Sequence, residues 1–188
     1  ALPPAGARRF QIFPSLPPQS TRHIEQLLLE AIYCAQREIV LTTPYFIPSE
    51  ALLTALRSAA MRGVHVVLIV PARVDSLLVR FASNAYFNDL LPYGVEVLRF
   101  SEGLLHTKSM VIDNEVTIFG TVNLDLRSFE LNFEVSVIAY DQPFSAATRA
   151  LQARYAAQSQ PIDPAQWLAR PWWRRTAENA VQMMSPLL

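Results

Sequence analysis

The sequence predicts an α/β fold with a mixed, largely parallel β-sheet that is flanked by helices on both faces. Apolar runs of strand length alternate with helical patterns from residue 10 to residue 100, which is the order of a layered α/β domain. The run from Val64 to Val70 is almost continuously apolar, as in a strand that is covered on both faces. The composition agrees, because 51% of the 188 residues are apolar and 17% are charged, which excludes a disordered chain.

The part of the chain before residue 101 predicts four strands and three helices in alternation. Helical spacing of apolar residues, a cap at Ser49 and the turn glycines Gly63 and Gly94 set the boundaries. The predicted elements are, in order, a strand at 10–13 inside a proline-rich segment (1–19) that is a linker or a first strand, a helix at 20–36, a strand at 38–42, an extended loop at 43–48, a helix at 49–62, a strand at 64–70, a helix at 75–91 and a strand at 95–100.

The alternation of strand and helix patterns ends after Gly103. Three strands follow in close succession and two helices end the chain, at 108–112, 117–119, 133–139, 144–158 and 164–184. Asn114 and Glu115 lie between the first two of these strands, where they predict a tight hairpin. We therefore expect a single domain over residues 1–188, with a core at 20–142 and a helical tail at 143–188.

The charge balance argues against a nucleic-acid partner. Sixteen basic and sixteen acidic residues give a net charge of zero, and Lys108 is the only lysine. One cysteine excludes an intrachain disulfide and a cysteine-ligated metal site. The longest apolar run is too short to span a bilayer, so we expect this chain alone to be soluble or peripheral to a membrane. Because it begins at Ala1 without a methionine, we expect an excised fragment or a processed product.

One segment carries candidate chemistry, since it places polar residues in an apolar strand. His106 and Lys108 are two residues apart, so their side chains project to the same face of an extended chain. Phosphate suits this pair, because lysine supplies a point charge and imidazole can act as nucleophile or proton donor near neutral pH. Every other basic residue is an arginine, so Lys108 indicates a requirement that a guanidinium does not meet. His23 and His65 occupy ordinary helix and strand positions.

A second set of polar residues follows the predicted hairpin. Gly120 permits close backbone approach, and the amide of Asn123 can donate to a phosphate oxygen. Glu134 can orient a histidine and select its tautomer, as carboxylates do in many nucleophile–base systems.

A signature emerges when these residues are taken together. His106, Lys108, Asp113, Gly120-Thr121 and Asn123 match the pattern HxKxxxxDxxxxxxG[ST]xN at every fixed position. The pattern resembles the phospholipase D superfamily, and the chain is similar over nearly its whole length to one branch, the bacterial cardiolipin synthases. The segments that carry this closer similarity are 43–48, 59–64, 123–134 and 185–188. The resemblance implies a phospholipase D-like α-β-α sandwich, present here as one repeat of a normally two-repeat enzyme.

The resemblance implies a phosphatidyl transfer in two steps, without a metal or another cofactor. One histidine attacks the phosphodiester to give a phosphohistidine, and a second histidine, from another copy of the motif, protonates the leaving alcohol. In cardiolipin synthases two phosphatidylglycerols yield cardiolipin and glycerol. Carried over to this chain, His106 is one of the two histidines, and Lys108 and Asn123 hold the phosphate. Glu134 orients a histidine, and Asp113 supports the motif strand.

The resemblance also implies partners. The family's active site needs two motifs and this chain has one, so we expect a second half, either upstream in the same polypeptide or in a second copy across a twofold axis. The other implied partners are the substrate phosphatidylglycerol and a membrane surface. The full-length protein is then expected at the bacterial cytoplasmic (inner) membrane.

Two aromatic groups are candidates for lipid contact. Tyr45 and Phe46 follow a strand end, where α/β sheets bind ligands, and we expect them to bind substrate. Trp167, Trp172 and Trp173 alternate with arginines in the tail. The tail pattern is equally typical of a membrane-interface helix and of a terminal helix that docks on the sheet.

Two other functions stay open at this point. The chain is alternatively a homodimeric, single-motif phosphodiesterase or nuclease of the same superfamily, or a folded fragment that is inactive on its own. Salt-sensitive DNA cleavage by the isolated chain would favour the nuclease. Phosphatidyl transfer by the isolated chain would contradict the inactive fragment.

Overall fold

An eight-stranded sheet and a separate pair of short strands organise the computed structural model, which describes residues 6, 8–15, 23–74 and 76–183. The large sheet has the strand order β1-β9-β7-β6-β2-β4-β5-β10, and β3 pairs with β8. The elements are β1 (Phe10–Ser15), α1 (His23–Cys34), β2 (Glu38–Thr42), β3 (Phe46–Ile47), α2 (Glu50–Met61), β4 (His65–Pro71), α3 (Leu77–Leu90), β5 (Glu96–Phe100), β6 (Ser109–Ile112), β7 (Val116–Gly120), β8 (Leu124–Asp125), α4 (Leu126–Glu130), β9 (Glu134–Ala139), α5 (Gln142–Ala157), β10 (Ser159–Pro161), α6 (Pro164–Leu168) and α7 (Trp172–Gln182).

The sheet is mixed, as predicted, but antiparallel pairing predominates where we expected parallel pairing. Among the described strands of the large sheet, β4 pairs in parallel with β2 and β5, and the five other pairings are antiparallel. The connection between β6 and β7 explains part of this difference. Asp113 and Asn114 have φ angles of 53° and 60°, and Glu115 N–H donates to the Ile112 carbonyl at 2.9 Å. Such a turn joins antiparallel strands, because a parallel pair needs a long crossover.

Helices cover both faces of the sheet, which confirms the predicted layers. Helices α1, α2 and α3 pack on one face, and α5 packs on the other. Strand β4 shows why its sequence is continuously apolar. Val66, Leu68 and Val70 belong to the core under α1–α3, whereas Val67 and Ile69 belong to the smaller core under α5.

Local signals set most of the helix boundaries. Ser49 caps α2 as predicted, since its Oγ accepts a hydrogen bond from the Leu52 N–H at 3.1 Å. The long helix predicted at 164–184 is two helices, α6 and α7, which are separated at Pro171 because proline cannot donate the helical hydrogen bond. The tail also contains the edge strand β10, where we expected only helix. The predicted helix start at residues 20–22 and most of the segment 1–19 lie outside the described residues.

Candidate active site

His106 and Lys108 lie in the loop between β5 and β6, and β6 begins at the next residue. The Lys108 Nζ lies 3.1 Å from Nδ1 and 3.3 Å from Nε2 of His106, and it donates to the His106 carbonyl oxygen at 3.0 Å. The two side chains therefore meet on one side of the chain, as their spacing predicts. His106 is exposed and Lys108 is half-buried. A phosphate oxygen bound to this ammonium group would lie within reach of the imidazole ring.

A buried polar network holds the start of β6. The Ser109 Oγ lies 2.7 Å from the Thr42 Oγ1 of β2 and accepts a hydrogen bond from the Gln152 Nε2 of α5 at 3.1 Å. The same amide nitrogen donates to the Val40 carbonyl at 3.1 Å. These contacts tie the residue after Lys108 to a strand and a helix, so the position of Lys108 is set by the core.

Gly120 brings β9 close to the His106–Lys108 pair. Its N–H donates to the Lys108 carbonyl at 3.3 Å, and a Cβ at this position would overlap the carbonyl oxygen of Val135 in β9. Thr121 extends the contact, because its N–H donates to that carbonyl at 3.0 Å and its Oγ1 accepts from the Val135 N–H at 3.0 Å. The glycine is required for close backbone approach, as predicted, and it places β9 beside the loop that carries Lys108.

Two carboxylates act on Lys108. Burial lowers the pKa of the Lys108 ammonium group, and the negative charges of Glu134 and Asp125 oppose that change. The Glu134 Oε1 accepts a hydrogen bond from the Asn132 Nδ2 at 3.2 Å. Glu134 thus lies near the site through its charge on Lys108, and its role in orienting a histidine stays a prediction. Sequence reasoning did not assign Asp125 a role, although it lies two residues after Asn123 and so on the same face of an extended chain.

Asn123 and His106 line neighbouring cavities. Asn123 and Asp125 line a cavity of about 300 Å³, and His106 lines another of about 270 Å³. Tyr45 lines both, which keeps it a candidate for substrate contact. The Asn123 Oδ1 is buried and has no hydrogen-bond partner among the described residues. This oxygen can accept a hydrogen bond from a donor that the described residues do not supply, while the amide nitrogen can donate one.

Phe46 belongs to the core, although it also lines a cavity together with Pro44 and Pro71, so its role in substrate binding stays a prediction. Phe46 is fully buried, and its ring lies 6.2 Å from the ring of Phe87 and 6.3 Å from that of Tyr86. Tyr45 directly precedes β3, and consecutive side chains on an extended chain point in opposite directions. Tyr45 lines the cavities of Asn123 and His106, whereas Phe46 is packed in the core.

Asp113 lies at the other end of β6 from Lys108. Its carboxylate accepts backbone hydrogen bonds from Gln36, Arg37 and Glu38 at 2.9, 2.7 and 2.9 Å. Burial raises the pKa of Asp113, but these three donors and the Arg37 charge outweigh it and hold the pKa below its ordinary value. This geometry fits the structural support that the resemblance implies for Asp113.

The three tail tryptophans have different surroundings. Trp167 is buried against the ring of Phe87, whereas Trp172 and Trp173 are 77% and 58% exposed at the start of α7. Trp167 therefore docks on the core, as the second interpretation of the tail predicts, whereas the rings of Trp172 and Trp173 face outward. No helix in the described part of the chain has the length and apolarity that crossing a bilayer requires. Nor does a cluster of three histidine, cysteine, aspartate or glutamate side chains occur there that could hold a metal ion.

The three-layer fold and the paired His106–Lys108 site define a phospholipase D-like domain. Residues 28–155 match the family described as "Cardiolipin synthase, PLD-like domain". This match covers more than half of the chain, and the chain therefore belongs to the family of phospholipase D-like domains found in cardiolipin synthases.

Similar proteins support this assignment. The chain is 45% identical over 178 residues to cardiolipin synthase A of Edwardsiella ictaluri, a match that covers 95% of this chain and 37% of that protein. It is 48% identical over 165 residues to cardiolipin synthase A of Klebsiella pneumoniae, which covers 88% of this chain and 34% of that protein. The chain thus spans little more than a third of the length of these relatives.

Solved structures share the fold at low sequence identity. The phospholipase D family member NUC of Salmonella typhimurium superposes with a TM-score of 0.71 at 22% identity, covering 83% of this chain and 99% of that chain. The phosphatidylserine synthase of Haemophilus influenzae Rd KW20 superposes with a TM-score of 0.67 at 16% identity, covering 93% of this chain and 48% of that chain. The fold class is therefore confirmed by both comparisons.

Proposed function

We propose that this chain supplies one of two half-sites for phosphatidyl transfer through a phosphohistidine, in an enzyme that makes cardiolipin and glycerol from two phosphatidylglycerols. The observation that carries the proposal is the contact of the Lys108 ammonium group with the ring nitrogens of exposed His106. Membership of the family supports the transfer chemistry. The name of the relatives, cardiolipin synthase A, supports the product.

The first step forms a bond between a ring nitrogen of the nucleophilic histidine and the phosphorus of the donor lipid. The bond between that phosphorus and the oxygen of the headgroup glycerol breaks. The departing oxygen takes a proton from the second histidine. In the second step a hydroxyl of the acceptor lipid gives its proton back to that histidine and displaces the phosphohistidine nitrogen. Lys108 and Asn123 bind the non-bridging phosphate oxygens, where the charge of the transition state is concentrated.

A second motif is needed because the nucleophile and the proton donor act on opposite sides of the phosphorus. His65 does not fill this role, since it lies at the first residue of β4 and its Nε2 contacts the Glu96 Oε2 at 3.2 Å. His106 lies at the opposite end of β4 from His65, because it lines a cavity together with Pro71, the last residue of that strand. The proposal therefore assigns the second histidine to another half, which carries its own copy of the motif.

The experiment measures the solution mass of this chain together with cardiolipin formation from phosphatidylglycerol vesicles. The proposal expects either an active dimer, or an inactive monomer that becomes active when the preceding part of a cardiolipin synthase is added. Acid-labile and alkali-stable ³²P should be retained on the active protein after quenching, since a phosphohistidine has that stability. Activity of a lone monomer, or turnover without labelled protein, would contradict the proposal.

The second candidate is a homodimeric single-motif phosphodiesterase or nuclease. The superposition on NUC favours it, because one repeat of this fold makes up almost the whole of that chain. The charge balance counts against nucleic acid, since nucleic-acid binding depends on clustered cations. An active dimer that hydrolyses DNA in a salt-sensitive way and makes no cardiolipin would select this candidate.

A further inference from the structure

A second polar cavity lies beside the candidate active site. It has a volume of about 270 Å³ and is lined by four arginines, and we call it the arginine pocket. Its charged lining residues are Arg80, Arg99, Arg170, Arg174 and Glu178. The four cations and one carboxylate among the described lining residues give an excess of positive charge, in a chain whose net charge is zero.

The one carboxylate in the arginine pocket is already paired. Both oxygens of the buried Glu178 accept hydrogen bonds from the Arg170 guanidinium at 2.9 Å, and Asn84 donates to one of them at 3.2 Å. Within the part of the chain that the structure describes, neither Arg80 nor Arg174 pairs with a carboxylate. Among the described residues, no carboxylate therefore balances the positive charge of these two arginines.

Arg99 lines the pocket and is held by two side-chain contacts. Its guanidinium lies 4.7 Å from the ring centre of Trp167, and it donates to the Asn84 Oδ1 at 3.0 Å. Burial lowers the pKa of Arg99, and the charges of Arg170 and Arg80 lower it further, whereas Glu178 opposes them. A guanidinium surrounded by like charges gains most from an anion that several of them share.

The arginine pocket adjoins the cavity of His106. The two cavities share Pro44, Pro71 and Val74 as lining residues. An occupant of the pocket would therefore lie next to a phosphate held by Lys108. The product cardiolipin has two phosphates joined by a glycerol bridge, and so the reaction requires a second phosphate close to the first.

We propose that the arginine pocket binds the phosphate of the acceptor phosphatidylglycerol while His106 and Lys108 act on that of the donor. This inference rests on the proposed function. Phosphate fits the donor set because guanidinium groups bind phosphate through paired hydrogen bonds. A lipid source is favoured over free phosphate because α7 carries Arg174 into the pocket and presents the exposed rings of Trp172 and Trp173 beside it.

The consequence for the reaction is a choice of acceptor. A pocket-bound acceptor presents its headgroup hydroxyl to the phosphohistidine, the new oxygen–phosphorus bond forms, the nitrogen–phosphorus bond breaks, and the hydroxyl proton passes to the second histidine. Without the bound acceptor, water takes its place in the same step and the product is phosphatidic acid. The ratio of cardiolipin to phosphatidic acid therefore reports on the pocket.

A binding measurement tests the pocket without any activity. The full 188-residue chain is titrated with glycerophosphoglycerol, with inorganic phosphate and with phosphatidylglycerol vesicles, and the indole N–H signal of Trp167 is followed by NMR. The double variant Arg80→Gln/Arg174→Gln removes two exposed cations from the mouth without disturbing the core, and should bind glycerophosphoglycerol about tenfold more weakly. The matched control is Arg154→Gln/Arg175→Gln, which changes the charge equally at two exposed arginines outside the pocket.

The outcomes separate this inference from the proposed function. His106→Ala should keep the Trp167 response, so a loss of turnover in that variant leaves the pocket intact. An unchanged affinity in Arg80→Gln/Arg174→Gln would overturn the inference. The inference would also be overturned if the Trp167 signal responded to inorganic phosphate but not to glycerophosphoglycerol or to the vesicles, because the pocket would then be a site for free phosphate.

The product ratio in the active assembly provides the second test. Arg80→Gln/Arg174→Gln should form the labelled phosphohistidine as the unmodified protein does, and its ratio of cardiolipin to phosphatidic acid should fall about tenfold. An equal loss of both products would contradict an acceptor site. If the unmodified protein forms no phosphohistidine, the proposed function fails, and the NMR titration still decides whether the pocket binds the headgroup.

Discussion

The two ends of β6 carry the two halves of one sequence motif, and the structure satisfies them differently. At the far end, the Asp113 carboxylate accepts three backbone hydrogen bonds, and the folded state favours its charged form. At the near end, the charge of Lys108 is disfavoured by burial, and its ammonium group lies against the ring of His106. One strand thus joins a carboxylate whose charge the fold favours to an ammonium group whose charge burial disfavours.

The difference teaches where substitutions should act. Charged groups that the protein itself satisfies contribute to stability, whereas charged groups left with a disfavoured ionisation and few partners are typical of functional sites. Changes near Asp113 should therefore reduce the free energy of unfolding. Changes near Lys108 should reduce activity and leave the fold intact.

The largest expected effect is that of His106→Ala. Removal of the imidazole should lower turnover in the complete assembly by at least about 10³-fold, because it removes the proposed nucleophile or proton donor. The melting temperature should stay the same, since His106 is exposed. Steady-state assays and thermal denaturation check both parts. His65→Ala is the matched control, and full activity in His106→Ala would refute the assignment.

The next effect is on stability and comes from Gly120→Ala. The added methyl group would overlap the Val135 carbonyl oxygen, which belongs to the backbone of β9 and cannot rotate away. We expect a loss of about 3 kcal/mol in urea denaturation. Gly63→Ala is the control, because Gly63 has a φ of 88° and open space around it, and should cost about 1 kcal/mol. Equal losses in both variants would exclude overlap as the cause.

Asp113→Ala should lower the free energy of unfolding in urea denaturation by about 2 kcal/mol. It leaves three backbone N–H groups without their acceptor and places alanine at a φ of 53°. Asp113→Asn should cost less, because asparagine tolerates this backbone conformation and keeps one acceptor oxygen. Glu115→Ala serves as the control. Its carboxylate forms an exposed pair with Arg37, so the free energy of unfolding should change by less than about 0.5 kcal/mol.

The free energy of unfolding should depend on pH through two carboxyl groups, Asp113 at the end of β6 and Glu38 in β2. The pKa of Asp113 lies below its ordinary value of 3.8, and that of Glu38 lies below 4.5 because Arg149 binds its carboxylate. A carboxyl group whose pKa is lowered by folding stabilises the folded state at pH values above its ordinary pKa. This stabilisation is lost as the pH falls through the pKa of the folded state. The free energy of unfolding should therefore fall below about pH 4.5, less steeply in Asp113→Asn. A rise in stability on acidification would contradict this.

The smallest effect is a shift in the pKa of Lys108. Glu134→Gln removes one of the two carboxylates that raise this pKa, so it should fall further. Lysine-selective ¹³C labelling gives a single NMR signal to titrate, because Lys108 is the only lysine. Glu115→Gln is the control and should leave the titration unchanged. An unchanged titration in Glu134→Gln would remove Glu134 from the surroundings of Lys108.

The sequence by itself determined what depends on neighbours along the chain. The spacing of His106 and Lys108 predicted that their side chains meet, and the apolar run at 64–70 predicted a strand buried on both faces. Ser49 marked a helix start for the same reason, since a cap bonds to an N–H three residues later. Periodicity and turn chemistry act over a few residues, so a sequence displays them directly.

Only the tertiary structure decided which distant segments meet. It placed Phe46 in the core, made most of the sheet antiparallel and set Asp125 and Glu134 near Lys108. It also assembled the arginine pocket from α3, β5 and the two tail helices. These outcomes depend on strand order and on packing between layers, and no local pattern records which strands pair or which side chains a crossover brings together.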